Sequence, residues 1–146
     1  MTFDLAKLIN LVLAVAALSL YIIGSRRFYL DRRPFLRFLV AAIMVDGLTA
    51  ALASSGVTPT TKLPYSDFVP WQSKLFVTHV ILASIGFFGF VGVTTAVAIK
   101  GVHRSYPRLR VVQYRWLLPI WLVGEGIALV TSMGKIFFRV RLYDYL

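Results

Sequence analysis

The segment KLFVTHVILASIGFFGFVGVTTAVAIK, Lys74 to Lys100, decides the fold of this chain. Between the two lysines lie 25 residues, and only His79 among them can carry a charge. A helix of about 20 apolar residues crosses the hydrocarbon core of a bilayer, which is about 30 Å thick. Only helices and closed barrels satisfy all backbone polar groups in lipid, and the chain shows no barrel-like alternation. The segment therefore predicts a transmembrane helix.

The rest of the chain has the same character. Of its 146 residues, 58% are hydrophobic, and the mean hydropathy is +0.76. Soluble domains average about 45–50% apolar residues. The apolar residues are concentrated in four blocks, which cover residues 8–24, 35–54, 75–99 and 116–133. We therefore predict an all-α, integral membrane four-helix bundle that forms a single domain over residues 1–146.

The positive charges predict how the four spans are oriented. Ten of the 16 basic residues lie in or beside two short connections, between the first and second blocks and between the third and fourth. They are Arg26, Arg27, Arg32, Arg33, Arg37, Lys100, Arg104, Arg108, Arg110 and Arg115. The positive-inside rule places these connections in the cytoplasm and both termini outside. There the basic residues would attract anionic lipids, whereas no platform for stacking nucleic acid bases is visible.

Three ionisable side chains lie within the blocks: Asp46, His79 and Glu125. Counted from the outer end of its own block, each lies roughly 9–12 Å deep at 1.5 Å per residue. Such residues are costly in lipid and normally face the bundle interior. The common depth predicts an intramembrane polar cluster. It could be a set of polar contacts that fixes helix register, a ligand or cofactor site, or a group that handles protons.

Two sets of small residues predict close helix packing. Gly47, Ala51 and Ser55 recur every four residues in the second block, and Gly86, Gly89 and Gly92 every three in the third. We expect at least one of these faces to lie against a neighbouring chain.

The composition excludes several kinds of chemistry. The chain has no cysteine, which excludes disulfides, thiolate metal sites and iron–sulfur clusters. It also lacks a nucleophile–base pair, a phosphate-binding loop and a two-metal carboxylate set, so we expect neither catalytic residues nor a metal site. No cofactor is expected. Haem stays open as an alternative, with His79 as one axial ligand and Met44 or Met133 as the other.

Several ordered motifs resemble the CtaM (YozB) family of small four-helix membrane proteins. They are LINLVLAVAALSLYIIGSRR, DRRPFLRFLVAAIM, THVILA and RWLLPIWLVGEGIALV, and together they extend from Leu8 to about Thr131. The most specific piece is the segment from Arg115 to Trp121. Members of this family are implicated in making active haem–copper terminal oxidases. The resemblance implies a multi-pass protein of a prokaryotic cytoplasmic membrane.

The family's histidine at the start of the third span corresponds to His79. At two other positions where the family tends to have histidine, this chain has Asp31 and Arg110. The positions that match the family pattern are Asn10, Pro119 and Trp121. The resemblance therefore favours a non-catalytic accessory subunit or assembly factor, which would bind other membrane subunits of a terminal oxidase. The alternative is a small membrane protein that transfers electrons or protons through Asp46, His79 and Glu125.

The predicted orientation can be tested with two single-cysteine variants of this cysteine-free chain. In intact cells, a cysteine at Ser66 should react with a membrane-impermeant thiol reagent, because the second connection is expected outside. A cysteine at Ser105 should be protected until the membrane is permeabilised. The reverse labelling pattern would contradict the orientation.

Overall fold

The computed structural model describes residues 5–32, 34–54, 69–100 and 106–138, and the secondary structure in these ranges is entirely helical. The α-helices are α1 (Leu5–Tyr29), α2 (Phe35–Ser54), α3 (Pro70–Lys100), α4 (Tyr106–Val112) and α5 (Leu118–Phe137). A π-helical turn, Gln113–Leu117, joins α4 to α5 without a break in the helical backbone.

Four stretches of the described helices are long and apolar enough to cross a membrane. They are Leu8–Tyr29, Phe35–Leu52, Pro70–Ile99 and Pro107–Gly134. These confirm the predicted all-helical fold and the four candidate spans. Insertion into a membrane and the outward position of both termini stay predictions.

α2 has the predicted bounds, residues 35–54, whereas the other long helices extend beyond the apolar blocks that predicted them. The third begins at Pro70 and not at residue 75, since a proline at the start of a helix loses no hydrogen bond. Arg108 and Arg110 were expected in a connecting loop, but they lie on α4. Polar and basic residues are good helix formers, so a helix can continue past the end of its apolar block.

Other basic residues of the predicted cytoplasmic connections lie at the end of a helix, directly after it, or outside the described residues. Arg26 and Arg27 lie in the last turn of α1 and not in a loop; cations are favourable there, near the negative end of the helix dipole. Arg32 follows the helix and donates its backbone N–H to the Arg27 carbonyl at 2.8 Å. Arg33 and Arg104 lie outside the described residues.

The core is a set of buried stripes, one on each long helix. Their members recur every three or four residues, as expected for one face of a helix. The stripes contain Ala17, Tyr21 and Phe28 on α1, Phe35, Leu39, Ala42 and Asp46 on α2, Phe90, Val93 and Val97 on α3, and Leu118, Trp121 and Ala128 on α5. Because the helices are apolar on nearly all faces, hydropathy alone does not indicate which face is buried. The packing of the helices determines it.

The helices associate mainly in two pairs. α1 packs along α2 and α3 packs along α5, whereas α2 and α3 touch only briefly. Glycines allow close approach within both pairs. A Cβ atom on Gly24 would lie 2.9 Å from Leu39 of α2, and one on Gly124 would lie 2.6 Å from the backbone nitrogen of Ala83 on α3.

The small-residue faces predicted from sequence are used in different ways. Gly86 and Gly89 pack against α5 of the same chain, where their missing side chains leave room for Trp121 and Leu117. A Cβ atom on Gly92 would meet no described atom within 4 Å, so this position is open. On α2, a Cβ atom on Gly47 would lie 3.9 Å from Phe87, also of this chain, and Ala51 is exposed; Ser55 lies outside the described residues. Contact with another chain stays a prediction for the exposed positions.

Two matched substitutions on α3 test the close approach to α5. Gly86→Ala should destabilise the protein by about 1–3 kcal/mol, because the added methyl group would overlap Trp121 and force the helices apart. Gly92→Ala should be neutral or stabilising by up to about 1 kcal/mol, because alanine is the better helix former and the site is open. Unfolding in mild detergent measures both. Equal effects would contradict the packing described.

Candidate functional site

Trp121 lies in the core of the bundle beside the site and contacts the three other long helices. It belongs to α5, and its Cβ and backbone lie against Gly86 of α3. Its ring is 4.3 Å from that of Tyr21 on α1, measured between centroids, and it packs edge-on to Phe90 of α3. Its Nε1 donates a hydrogen bond of 3.1 Å to Oδ2 of Asp46 on α2. One side chain, 1% exposed, therefore connects the four helices.

Asp46 lies on the buried stripe of α2 and is 9% exposed. A second group, the hydroxyl of Tyr21, lies close to its carboxylate. Tyr21 is completely buried. Asp46 therefore has two donor groups beside its carboxylate, the indole N–H of Trp121 and the hydroxyl of Tyr21.

His79 is held by the backbone of α5. Its Nδ1 lies 2.8 Å from the carbonyl oxygen of Gly124. A carbonyl can only accept, so Nδ1 carries the hydrogen in this contact. The contact depends on the glycine, because a side chain there would collide with Ala83 and move α5 away from α3.

Asp46, His79 and Glu125 line one cavity of about 350 Å³. It lies between α2, α3 and α5, and α5 contributes Glu125 and Ala128. The remaining lining residues are Thr49 and Ala50 of α2 and Val80, Ala83, Ser84, Phe87 and Phe88 of α3. The cavity is partly open at the surface between α2 and α3. In a bilayer this opening would face lipid.

The structure thus brings the three predicted residues to one cavity. Asp46 accepts from Trp121, and His79 donates to the Gly124 backbone. The carboxylates of Asp46 and Glu125 are close enough to repel each other. Among the described residues, no three His, Cys, Asp or Glu side chains are grouped so that they could hold a metal ion.

The haem alternative requires a second axial ligand near His79. Met44 and Met133 are both exposed, at 69% and 46%, and neither is among the described residues that line the cavity. The structure therefore gives haem ligation by His79 and either methionine no support, and this alternative stays a prediction.

Sequence reasoning missed two partners of the site. Tyr21 was not singled out, although it is the one tyrosine within the first apolar block. Trp121 was noted only as a motif match. Trp121 lies one helical turn before Glu125, so both residues are on the same face of the helix. This spacing is the sequence signal that could have assigned Trp121 to the site.

A second polar arrangement lies at the junction of α1 with α4. Nε2 of Gln113, in the π-helical turn, donates to Oγ of Ser25 at 3.3 Å, and both residues are completely buried. Nearby in sequence, Arg110 pairs with Asp31 at 3.2 Å. Asp31 has a φ of 58°, a conformation that aspartate tolerates better than most residues. The two positions compared with family histidines are therefore in contact, as an ion pair.

No known family model matches this chain, and neither a curated protein nor a solved structure matches it. The resemblance to the CtaM (YozB) family therefore rests on the sequence motifs alone.

The role of Trp121 can be tested against a second tryptophan. Trp121→Phe removes the donor to buried Asp46 and should destabilise the protein by about 1–3 kcal/mol. Trp116 is 65% exposed, so Trp116→Phe should change stability by less than about 0.5 kcal/mol. Both values come from unfolding in mild detergent. A loss for Trp121→Phe no greater than for Trp116→Phe would contradict the central role of Trp121.

Proposed function

We propose that the chain is a non-catalytic integral membrane accessory subunit or assembly factor of a haem–copper terminal oxidase. The chain would lie in a prokaryotic cytoplasmic membrane, bind other oxidase subunits, and contact anionic lipids through the basic residues of its predicted cytoplasmic connections. The resemblance of its motifs to the CtaM (YozB) family supports the association with an oxidase. The observation that carries an accessory role is that α2 and α3 touch only briefly and that both carry exposed small residues.

Helix association in a bilayer depends on close packing and on polar contacts between helices, because lipid is as apolar as a helix surface. The α1–α2 and α3–α5 pairs use such contacts within the chain. On α2, Ala50 and Ala51 are exposed, and on α3 Ser84 and Gly92 are exposed. These residues would let a helix of another subunit approach closely on either side of the cavity.

The site also supports a role for His79 in that complex. Its hydrogen bond to Gly124 fixes the ring on α5, and it lines the same cavity as Asp46 and Glu125. In the proposed function this arrangement holds α3 against α5. It needs a side chain that donates a hydrogen bond but does not need a charged one.

A second candidate function is proton transfer. The observation that favours it is the hydroxyl of the buried Tyr21, which lies beside Asp46. Asp46 in turn lies in electrostatic reach of Glu125. Tyrosine, carboxylates and histidine at one level of a membrane are groups that can pass protons to one another.

The proposed partner can be tested by affinity purification of the tagged chain in mild detergent. Oxidase subunits should co-purify, and deletion of the chain should lower assembled oxidase. A tagged Gly86→Leu variant, which should disrupt α3–α5 packing, provides a control for non-specific capture. Purification without any oxidase subunit, together with unchanged oxidase in the deletion strain, would contradict the proposal.

Substitutions at His79 separate the two candidate functions. With a packing role, His79→Gln should keep oxidase activity, because glutamine can still donate to the Gly124 carbonyl. His79→Leu should destabilise the chain by about 1 kcal/mol, since it leaves that polar contact unmade. With proton transfer, both variants should lose activity while the protein still accumulates in the membrane.

A further inference from the structure

Beyond this function, we propose that the cavity between α2 and α3 binds a lipid-soluble organic monocation. Asp46 and Glu125 would supply the negative charge, and Phe87 and Phe88 the aromatic wall. The proposal concerns the isolated chain and does not depend on an oxidase partner.

The charges that face the cavity are unbalanced. α2 contributes Asp46, α5 contributes Glu125 and α3 contributes His79, whereas no lysine or arginine in the described part of the chain lines the cavity. His79 directs its Nδ1 hydrogen to the Gly124 carbonyl. A bound monocation would reduce the repulsion between the two acids, and buried charges are stable only when they are paired.

The groups around the Asp46 carboxylate are hydrogen-bond donors, which stabilise a negative charge. Trp121 donates to Oδ2 of the carboxylate. The hydroxyl of Tyr21, a completely buried residue, lies beside the same carboxylate and in electrostatic reach of Glu125. A carboxylate kept ionised by a bound cation would give this hydroxyl a strong acceptor.

The shape and lining of the cavity fit the apolar part of such a ligand. A volume of about 350 Å³ lies within the usual range of small-molecule sites, which is about 300–1,000 Å³. Phe88 is 69% exposed at the opening, and Phe87 lies deeper. Cations are attracted to the faces of aromatic rings, and the opening towards lipid would admit a ligand that partitions into the bilayer.

Two other ligand classes fit less well. A bare metal cation needs several oxygen or nitrogen ligands grouped around one point, which the described residues do not provide. A neutral ligand with carbonyl groups needs donors that point into the cavity. The donors whose direction is known, on Trp121, His79 and Thr49, are directed to Asp46 and to backbone carbonyls.

The test uses the purified chain in mild detergent and tetraphenylphosphonium as the probe, with binding measured by calorimetry. We expect saturable binding of one cation per chain. Asp46→Asn and Glu125→Gln should each weaken it at least tenfold. Asp31→Asn is the matched control: it also removes one negative charge, it lies outside the cavity, and asparagine accepts its positive φ. Binding to this variant should be unchanged.

A cavity-filling variant separates binding in the cavity from attraction to the surface. Ala50→Leu keeps every charge but narrows the cavity, and its exposed position makes the change compatible with folding. It should also weaken binding, while circular dichroism and gel-filtration elution match those of the unmodified chain. The neutral analogue triphenylphosphine oxide should not compete with the probe. Absence of saturable binding, equal binding by Glu125→Gln, or equally tight binding of the neutral analogue would overturn the proposal.

Discussion

The close approach of α3 and α5 at Gly86 and Trp121 is the constraint on which the rest of the structure depends. Because Gly86 has no side chain, the backbone of α5 can lie directly against α3. Trp121 is then directed into the bundle, where its ring meets Tyr21 and its indole nitrogen reaches Asp46. At the same crossing, the Gly124 carbonyl comes within hydrogen-bond distance of His79. A larger residue at either glycine would separate the helices and break these polar contacts together.

This crossing also explains why a cavity exists. α5 is held close to α3, and α2 is held close to α1, so little contact remains between α2 and α3. The polar residues at this gap come from three helices and are supported from behind by the aromatic side chains of the core. In a soluble protein such a gap would be unfavourable for its apolar lining. In lipid the lining can face acyl chains, a ligand or another helix.

The site could be predicted in part. Asp46, His79 and Glu125 were identifiable because an ionisable residue in an apolar helix is rare, and the rise per residue gave their common depth. Their partners could not be identified in the same way. Trp121 and Tyr21 resemble many apolar and aromatic neighbours in the sequence, and the acceptor for His79 is a backbone carbonyl, which carries no sequence signal. The pairing of Asp31 with Arg110 likewise depends on how α1 meets α4.

The sequence by itself determined that the chain is helical, that four helices are long and apolar enough to cross a membrane, and which ionisable residues they carry. Length and hydropathy are sufficient for this, because backbone hydrogen bonding in an apolar segment favours a helix. Only the tertiary structure decided which face of each helix is buried. In helices that are apolar all round, hydropathy does not distinguish a side chain in the core from one at the surface. The choice instead depends on shape: Gly86 accepts Trp121, and Gly124 accepts the backbone of α3.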